Sequence, residues 1–328
     1  MTTPPPSGSA AIFAPEFGTR SLLTVDTEEE FDWDGPFRAT GHGLGHVEKL
    51  AEFQDFCEAM GVSPVYLIDW PIATSDAARE VLAGPLAAGK AEIGIQLHPW
   101  VNPPFEEEVT GHNSFTGNLP PELAERKFLA LRDAIRANFA AEPQIYRAGR
   151  YGLGPSSAEM LKNGGITVDT SVRANFDYSA AGGPDYRNHP LVPYWVDADR
   201  QLLELPLTTV YFGMLRKQGR ALYPMLAKMP QLTGLASYLG LLERISLTPE
   251  GVTAEEALRG IDIAIDDQLP LLVLSFHSPS IVPGNTPYVR DARDLEQLYD
   301  WWSRIYTYLD MRGVRPTTVK ELLGAIQK

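Results

Sequence analysis

Asp26, Glu28, His98, Arg147 and His277 are the side chains whose types and positions could do hydrolytic chemistry. Each follows a short apolar run: LLTVDTEEEFDW for the two acids, EIGIQLHPW for His98, YRAGRYG for Arg147 and LVLSFHSPS for His277. A fifth run, VDTSV, places Asp169 in the same manner. Alternate positions on an extended chain point the same way, so Asp26 and Glu28 share a face. Close carboxylates cannot both stay ionised cheaply, so such a pair shares a metal or divides into a base and a ligand. One histidine at the end of a buried run is usually structural, but two in equivalent places point to function. Arg147 and Arg150 flank Ala148-Gly149, small residues that allow close approach, and a buried guanidinium orients a carboxylate such as Asp26. Arg150 reads equally well as a structural ion pair. Asp169 is expected to orient His277 or Arg147. Glu29, Glu30 and Asp34 read as a solvated acidic loop. His42, His46 and His189 lie in polar loops. His112 stays a candidate because the Pro99–Pro121 loop could fold it over the site.

Strand-like and helix-like segments alternate around these residues. Strands are expected at 21–26, 64–69, 92–97, 144–147, 167–170, 202–205 and 271–276. Helices are expected at 47–60, 75–88, 122–139, 253–267, 292–311 and 319–327, with Ser75 as an N-cap and Thr253/Glu256 as a capping box. Such alternation implies a parallel sheet covered by helices. The expected fold is an irregular α/β barrel of the (β/α) type, closed or partly closed, in preference to an open doubly wound sheet. One domain is expected over 20–328, after a flexible leader at 1–19 and with a helical insertion near 209–247. The insertion contains GLASYLGLLERI, which reads as packing under the barrel rim rather than as a membrane or partner surface. GHGLGH (Gly41–His46) has neither dinucleotide-type spacing nor a phosphate-binding lysine and reads as a loop.

Composition narrows the partners. A formal charge of −14 argues against nucleic acid and against an anionic membrane as the main partner. The single cysteine, Cys57, excludes internal disulfides and multi-cysteine metal sites and is expected in the core. No run is long and apolar enough to span a membrane, and the N-terminus has no signal-peptide pattern, so the expected address is cytoplasmic.

The five segments, in this order, resemble the polysaccharide deacetylase (NodB-homology) family of carbohydrate esterases. HPWVNPP, NSFTGNLP and FHSPS followed by PGNTPYVR further resemble its WalW-like subgroup. The resemblance implies a hydrolase of carbon–nitrogen bonds other than peptide bonds, removing an N-acetyl or similar acyl group from a saccharide in cell-surface polysaccharide metabolism. It implies Asp26 as general base, His277 as general acid, Arg147 tuning the base and Asp169 the acid. Glu28 and His98 would hold a divalent metal, with zinc the expected ion. Arg150, Tyr151 and Trp100 would meet substrate, and Trp33, Trp70 and Phe115 could add stacking surface. The sequence departs from the family where paired histidines four residues apart are usual, since Gln96 and Trp100 stand there. The third metal ligand would therefore be Asp26, Gln96 or His112. Two alternatives stay open: metal-independent hydrolysis of a cyclic amide or ureide, and glycan binding without catalysis.

Overall fold

Strands follow one another around a curled sheet in nearly their sequence order. In the computed structural model, which describes residues 1–327, they are β1 (Arg20–Thr27), β2 (Val65–Ile68), β3 (Glu92–Leu97), β4 (Ile145–Ala148), β5 (Val168–Asp169), β6 (Tyr194–Trp195) and β7 (Leu203–Glu204). After them come β8 (Thr209–Phe212), β9 (Glu243–Ser246), β10 (Leu271–His277) and β11 (Arg315–Pro316). The main sheet runs β10-β1-β2-β3-β4-β5-β7-β6, with β11 also paired to β1. All its pairings are parallel except β6 with β7. β10 and β6 are its two edges, so the barrel expected from the sequence takes a half-barrel form.

Alternation along the strands divides the core in two. Leu23, Val25, Tyr66, Ile68, Ile95 and Phe276 face the helices. Leu22, Val65, Leu67, Ile145, Val168 and Leu271 face the inside of the curl. This inner cluster is closed at the bottom by Ala11 and Phe17 from the N-terminus and by Val319 and Leu322 from the last helix. The segment 1–19, expected as a flexible or loosely docked leader, makes backbone contacts with the rest of the chain. Ala11 N donates to Pro193 O, Trp195 N to Ser9 O and Ala14 N to Ala325 O, all at 2.8–2.9 Å.

The expected helices form at Leu50–Ala59, Asp76–Ala87, Pro121–Phe139, Ala254–Asp266, Ala292–Met311 and Val319–Ala325. Ser75 caps the second, and both arms of the Thr253/Glu256 box are present. Leu298, Trp301, Trp302, Ile305 and Leu309 recur at helical spacing and bury the face of the 292–311 helix. Cys57 is 1% exposed in the core. The insertion is not purely helical: its helices Gly219–Leu226 and Pro230–Tyr238 sit inside an antiparallel β8–β9 pair.

Candidate active site

Strand parity gathers the chemistry at the C-terminal ends of β10, β1, β3 and β4. Asp26 and His277 are register partners across β1 and β10, and Gln96 and Arg147 across β3 and β4. Arg147 is 1% exposed. Its guanidinium donates to Asp26 Oδ1, to Thr24 Oγ1 (2.9 Å) and, through Nε, to Thr170 O (3.0 Å). Asp26 is thereby fixed, with Oδ2 facing His277 Nε2 at 3.7 Å. Glu250 holds the other side of the histidine, with Oε2 2.6 Å from Nδ1 and Oε1 accepting from His277 N and Ser280 Oγ. Burial opposes a charge on His277, but the carboxylates of Glu250, Glu28 and Asp26 outweigh it and raise its pKa to about 10. The imidazole is therefore cationic at neutral pH and carries a proton to give.

Beside this pair, Gln96 Nε2 donates to Glu28 Oε2 (2.9 Å) and lies 3.1 Å from His98 Nε2. His98 Nε2 is 3.4 Å from Glu28 Oε2. His98 Nδ1–H donates to Glu29 Oε2 (2.9 Å), and Trp100 Nε1 donates to Glu29 Oε1 (2.6 Å). Burial lowers the His98 pKa to about 4, so the ring is neutral, with its Nε2 lone pair accepting from Gln96 Nε2.

These residues fit a divalent cation. Bonds of about 2.1 Å in tetrahedral geometry separate two ligand atoms by roughly 3.4 Å, which is the Glu28–His98 spacing. Glu28 Oε1 and Gln96 Oε1 are buried without a hydrogen-bond partner, and burial pushes the Glu28 carboxyl well above its usual range. A cation held near them would give these oxygens a partner. A carboxylate behind the far nitrogen of a ligating histidine is the usual support for a metal. Glu29, Asp69 and His98 form another acid–histidine cluster, but its oxygens are engaged: Asp69 accepts from Ile72 N and Glu29 N, and Glu29 from His98 and Trp100. That cluster orients His98.

Above these groups opens a cleft of about 320 Å³ walled by Trp33, Phe37, Tyr151, Tyr178 and Tyr288, with Arg150 and Arg173 at its side. Arg150 and Tyr151 both take left-handed backbone conformations, φ 52° and 61°. Such a strained pair belongs where the chain must aim side chains. A Cβ on Gly149 would lie 2.6 Å from Leu97 O and His98 Cδ2, so this glycine lets β4 close on the histidine. A larger cleft, about 440 Å³ near Phe139 and Gln144 at the other end of the strands, includes Glu92, whose carboxylate is taken up capping the last helix.

No protein-family model and no curated protein matches the sequence. Similar solved structures include polysaccharide deacetylases and esterases of carbohydrate family 4. A Mycobacterium smegmatis protein assigned as a polysaccharide deacetylase is 14% identical, covering 97% of this chain and 98% of its own, with a TM-score of 0.46. A family 4 acetyl xylan esterase from Clostridium thermocellum, in complex with cobalt, is 12% identical over 93% and 91%, with a TM-score of 0.43. A Bacillus anthracis pseudoenzyme of the same family is 9% identical over 96% and 69%, with a TM-score of 0.47. Likeness of this size assigns no chemistry to the chain.

The structure brings together Asp26, Glu28, Gln96, His98, Trp100, Arg147, Arg150, Tyr151 and His277 at one cleft. It does not bring Asp169 to His277, the first of its two expected partners; Arg147, the second, is near enough for its charge to oppose the rise that burial gives the Asp169 pKa. Val168 faces the inside of the curl, so Asp169 one residue on faces outward, where it bonds Ser171 beside Glu204. Glu250 holds the histidine instead, from the loop between β9 and the 254–266 helix. Trp100 stacks on His98 (4.3 Å) and so supports that ring as well as lining the cleft. Arg150 makes no ion pair among the described residues; it donates to Ser114 Oγ and lies over the Phe115 and Phe37 rings. Phe115 is buried beneath it, and Trp70 is not at the cleft. His112 is exposed and bonded to Asn118, away from Glu28. Glu29 and Glu30, read as solvated, are structural: Glu30 accepts from His46, whose other nitrogen lies 2.9 Å from Ser278 Oγ.

Proposed function

We propose that this cleft hydrolyses an acyl group, N-acetyl by preference, from a saccharide. The observation that carries the reading is the Asp26–His277 pair. An acid and a base face each other on adjacent strands, each held from behind by a group of opposite charge. Asp26 Oδ2 takes the proton of the attacking water as its oxygen bonds to the acyl carbon. His277 gives its proton to the nitrogen as the carbon–nitrogen bond breaks, and amine and carboxylate leave. Arg147 keeps Asp26 aimed through both steps, and Glu250 keeps His277 charged until the proton moves. Glu28 and His98 would hold a divalent metal with Gln96 as a weaker oxygen donor, zinc being the expected ion. When bound, the metal polarises the acyl carbonyl as a Lewis acid. The aromatic walls suit the apolar faces of sugar rings. Motif likeness to the deacetylase family supports the same reaction class, in cell-surface polysaccharide metabolism.

A second reading has its own observation. The Gln96 amide already bridges Glu28 and His98 by hydrogen bonds, which is a self-sufficient arrangement for metal-independent hydrolysis of a cyclic amide. Acetate release from N-acetylated oligosaccharides, measured for wild type, Asp26→Asn and His277→Ala before and after chelation, separates the two. Asp26- and His277-dependent release that chelation abolishes and zinc or cobalt restores supports the proposal. Turnover of ring amides alone, indifferent to chelation, supports the second. Saccharide binding unchanged in all three proteins, with no turnover, would overturn both.

A further inference from the structure

Among the described residues thirteen large hydrophobic side chains are exposed, and eight fall between Met214 and Leu239. Tyr238 is 87% exposed, Met214 82% and Met225 65%. The same stretch, 213–242, carries Arg216, Lys217, Arg220 and Lys228 and no acidic residue, in a chain whose net charge is −14. Arg216 pairs with Asp267, whereas Lys217 and Lys228 are exposed. The segment is held in place. Arg244 from β9 lies 3.5 Å from the Phe176 ring centroid and 4.6 Å from that of Tyr223 in the 219–226 helix. Arg173, a cleft residue, covers the other side of the contact, 3.9 Å from Phe176. Through this stack of cations and rings the exposed face is fixed beside the cleft.

We propose that the 213–242 segment docks the protein on an anionic phospholipid surface. Short helices rich in exposed Leu, Met and Tyr, with cations among them, suit the plane between headgroups and acyl chains. Negative lipid headgroups complement the lysines. The same face of a second copy would present like charges, which disfavours a symmetric dimer there. Docking sets the Arg173–Tyr178 wall of the cleft next to the bilayer and does not depend on which bond the cleft breaks.

Vesicle flotation tests this directly. Wild type is expected to float with phosphatidylcholine vesicles containing about one third phosphatidylglycerol, at least about tenfold more than with pure phosphatidylcholine, and less as salt is raised. Lys217→Glu/Lys228→Glu and Leu235→Ser/Tyr238→Ser are each expected to weaken flotation by about tenfold or more, with unchanged circular dichroism because all four positions are exposed. Three results would overturn the proposal: no flotation of wild type, flotation of both variants equal to wild type, or a concentration-dependent dimer in sedimentation that Leu235→Ser/Tyr238→Ser abolishes.

Discussion

At the scale of single residues, the site is a set of buried ionisable groups whose states are set by their neighbours. Asp26, Arg147 and His277 were readable in the sequence because each ends an apolar run. Glu250 was not, since it lies in TPEGVTAEE, a loop whose other acids merely begin a helix. Glu29 was misread for the opposite reason: an acidic run looks solvated, yet the chain beyond the end of β1 buries Glu29 against His98 and Trp100. The His277 charge has a consequence for stability. Its folded pKa, about 10, lies above the unfolded value of about 6.5. The contribution is full below about pH 6.5 and is lost as pH rises through about 10. Chemical denaturation across that range should show stability falling in wild type and falling less in His277→Ala. Trp100→Phe removes the donor to Glu29 while keeping a ring against His98. Zinc affinity by calorimetry should drop about 10- to 100-fold, as for other changes behind a metal-binding histidine; an unchanged affinity would remove Trp100 from that role.

The elements explain why the residues meet. Strand positions were legible from apolar runs between turn residues, and the long helices from their periodicity and caps. The two-residue strands β6 and β11 were missed, and so was the β8–β9 pair, which flanks a Leu-, Met- and Tyr-rich stretch that reads as helical throughout. Parity decided more than proximity in sequence: one residue separates inward Val168 from outward Asp169, and the expected partner of His277 was lost with it. One close approach between elements is at Gly149, where the end of β4 comes down on the end of β3. Gly149→Ala forces a Cβ against a backbone carbonyl that cannot yield. It should cost about 1–3 kcal/mol in denaturant unfolding and lower kcat/KM by about tenfold or more. Wild-type stability and activity in this variant would show that β3 and β4 separate freely.

Over the whole molecule, the half-barrel leaves an open bottom, and the N-terminal segment closes it. Pro- and Ser-rich composition suggested a loose leader, but Phe17 stacks on Phe13 at 4.8 Å and is 5% exposed. Phe17→Ala should therefore destabilise by about 3 kcal/mol, read as a lower denaturation midpoint; a neutral result would mean the segment is not part of the fold. An average of −14 says nothing of how charge is distributed along the chain, and only the folded chain shows that eight large apolar side chains between Met214 and Leu239 are exposed.

The proposed reaction requires His277 in its cationic form, opposite Asp26 and held by Glu250. The most direct measurement is the alkaline limb of kcat/KM for acyl release by wild type and Glu250→Gln. The wild-type limb is expected above the ordinary histidine range, and the variant's at least about one unit lower, because the amide no longer stabilises the imidazolium. Superimposable limbs, or a limb that persists in His277→Ala, would contradict it.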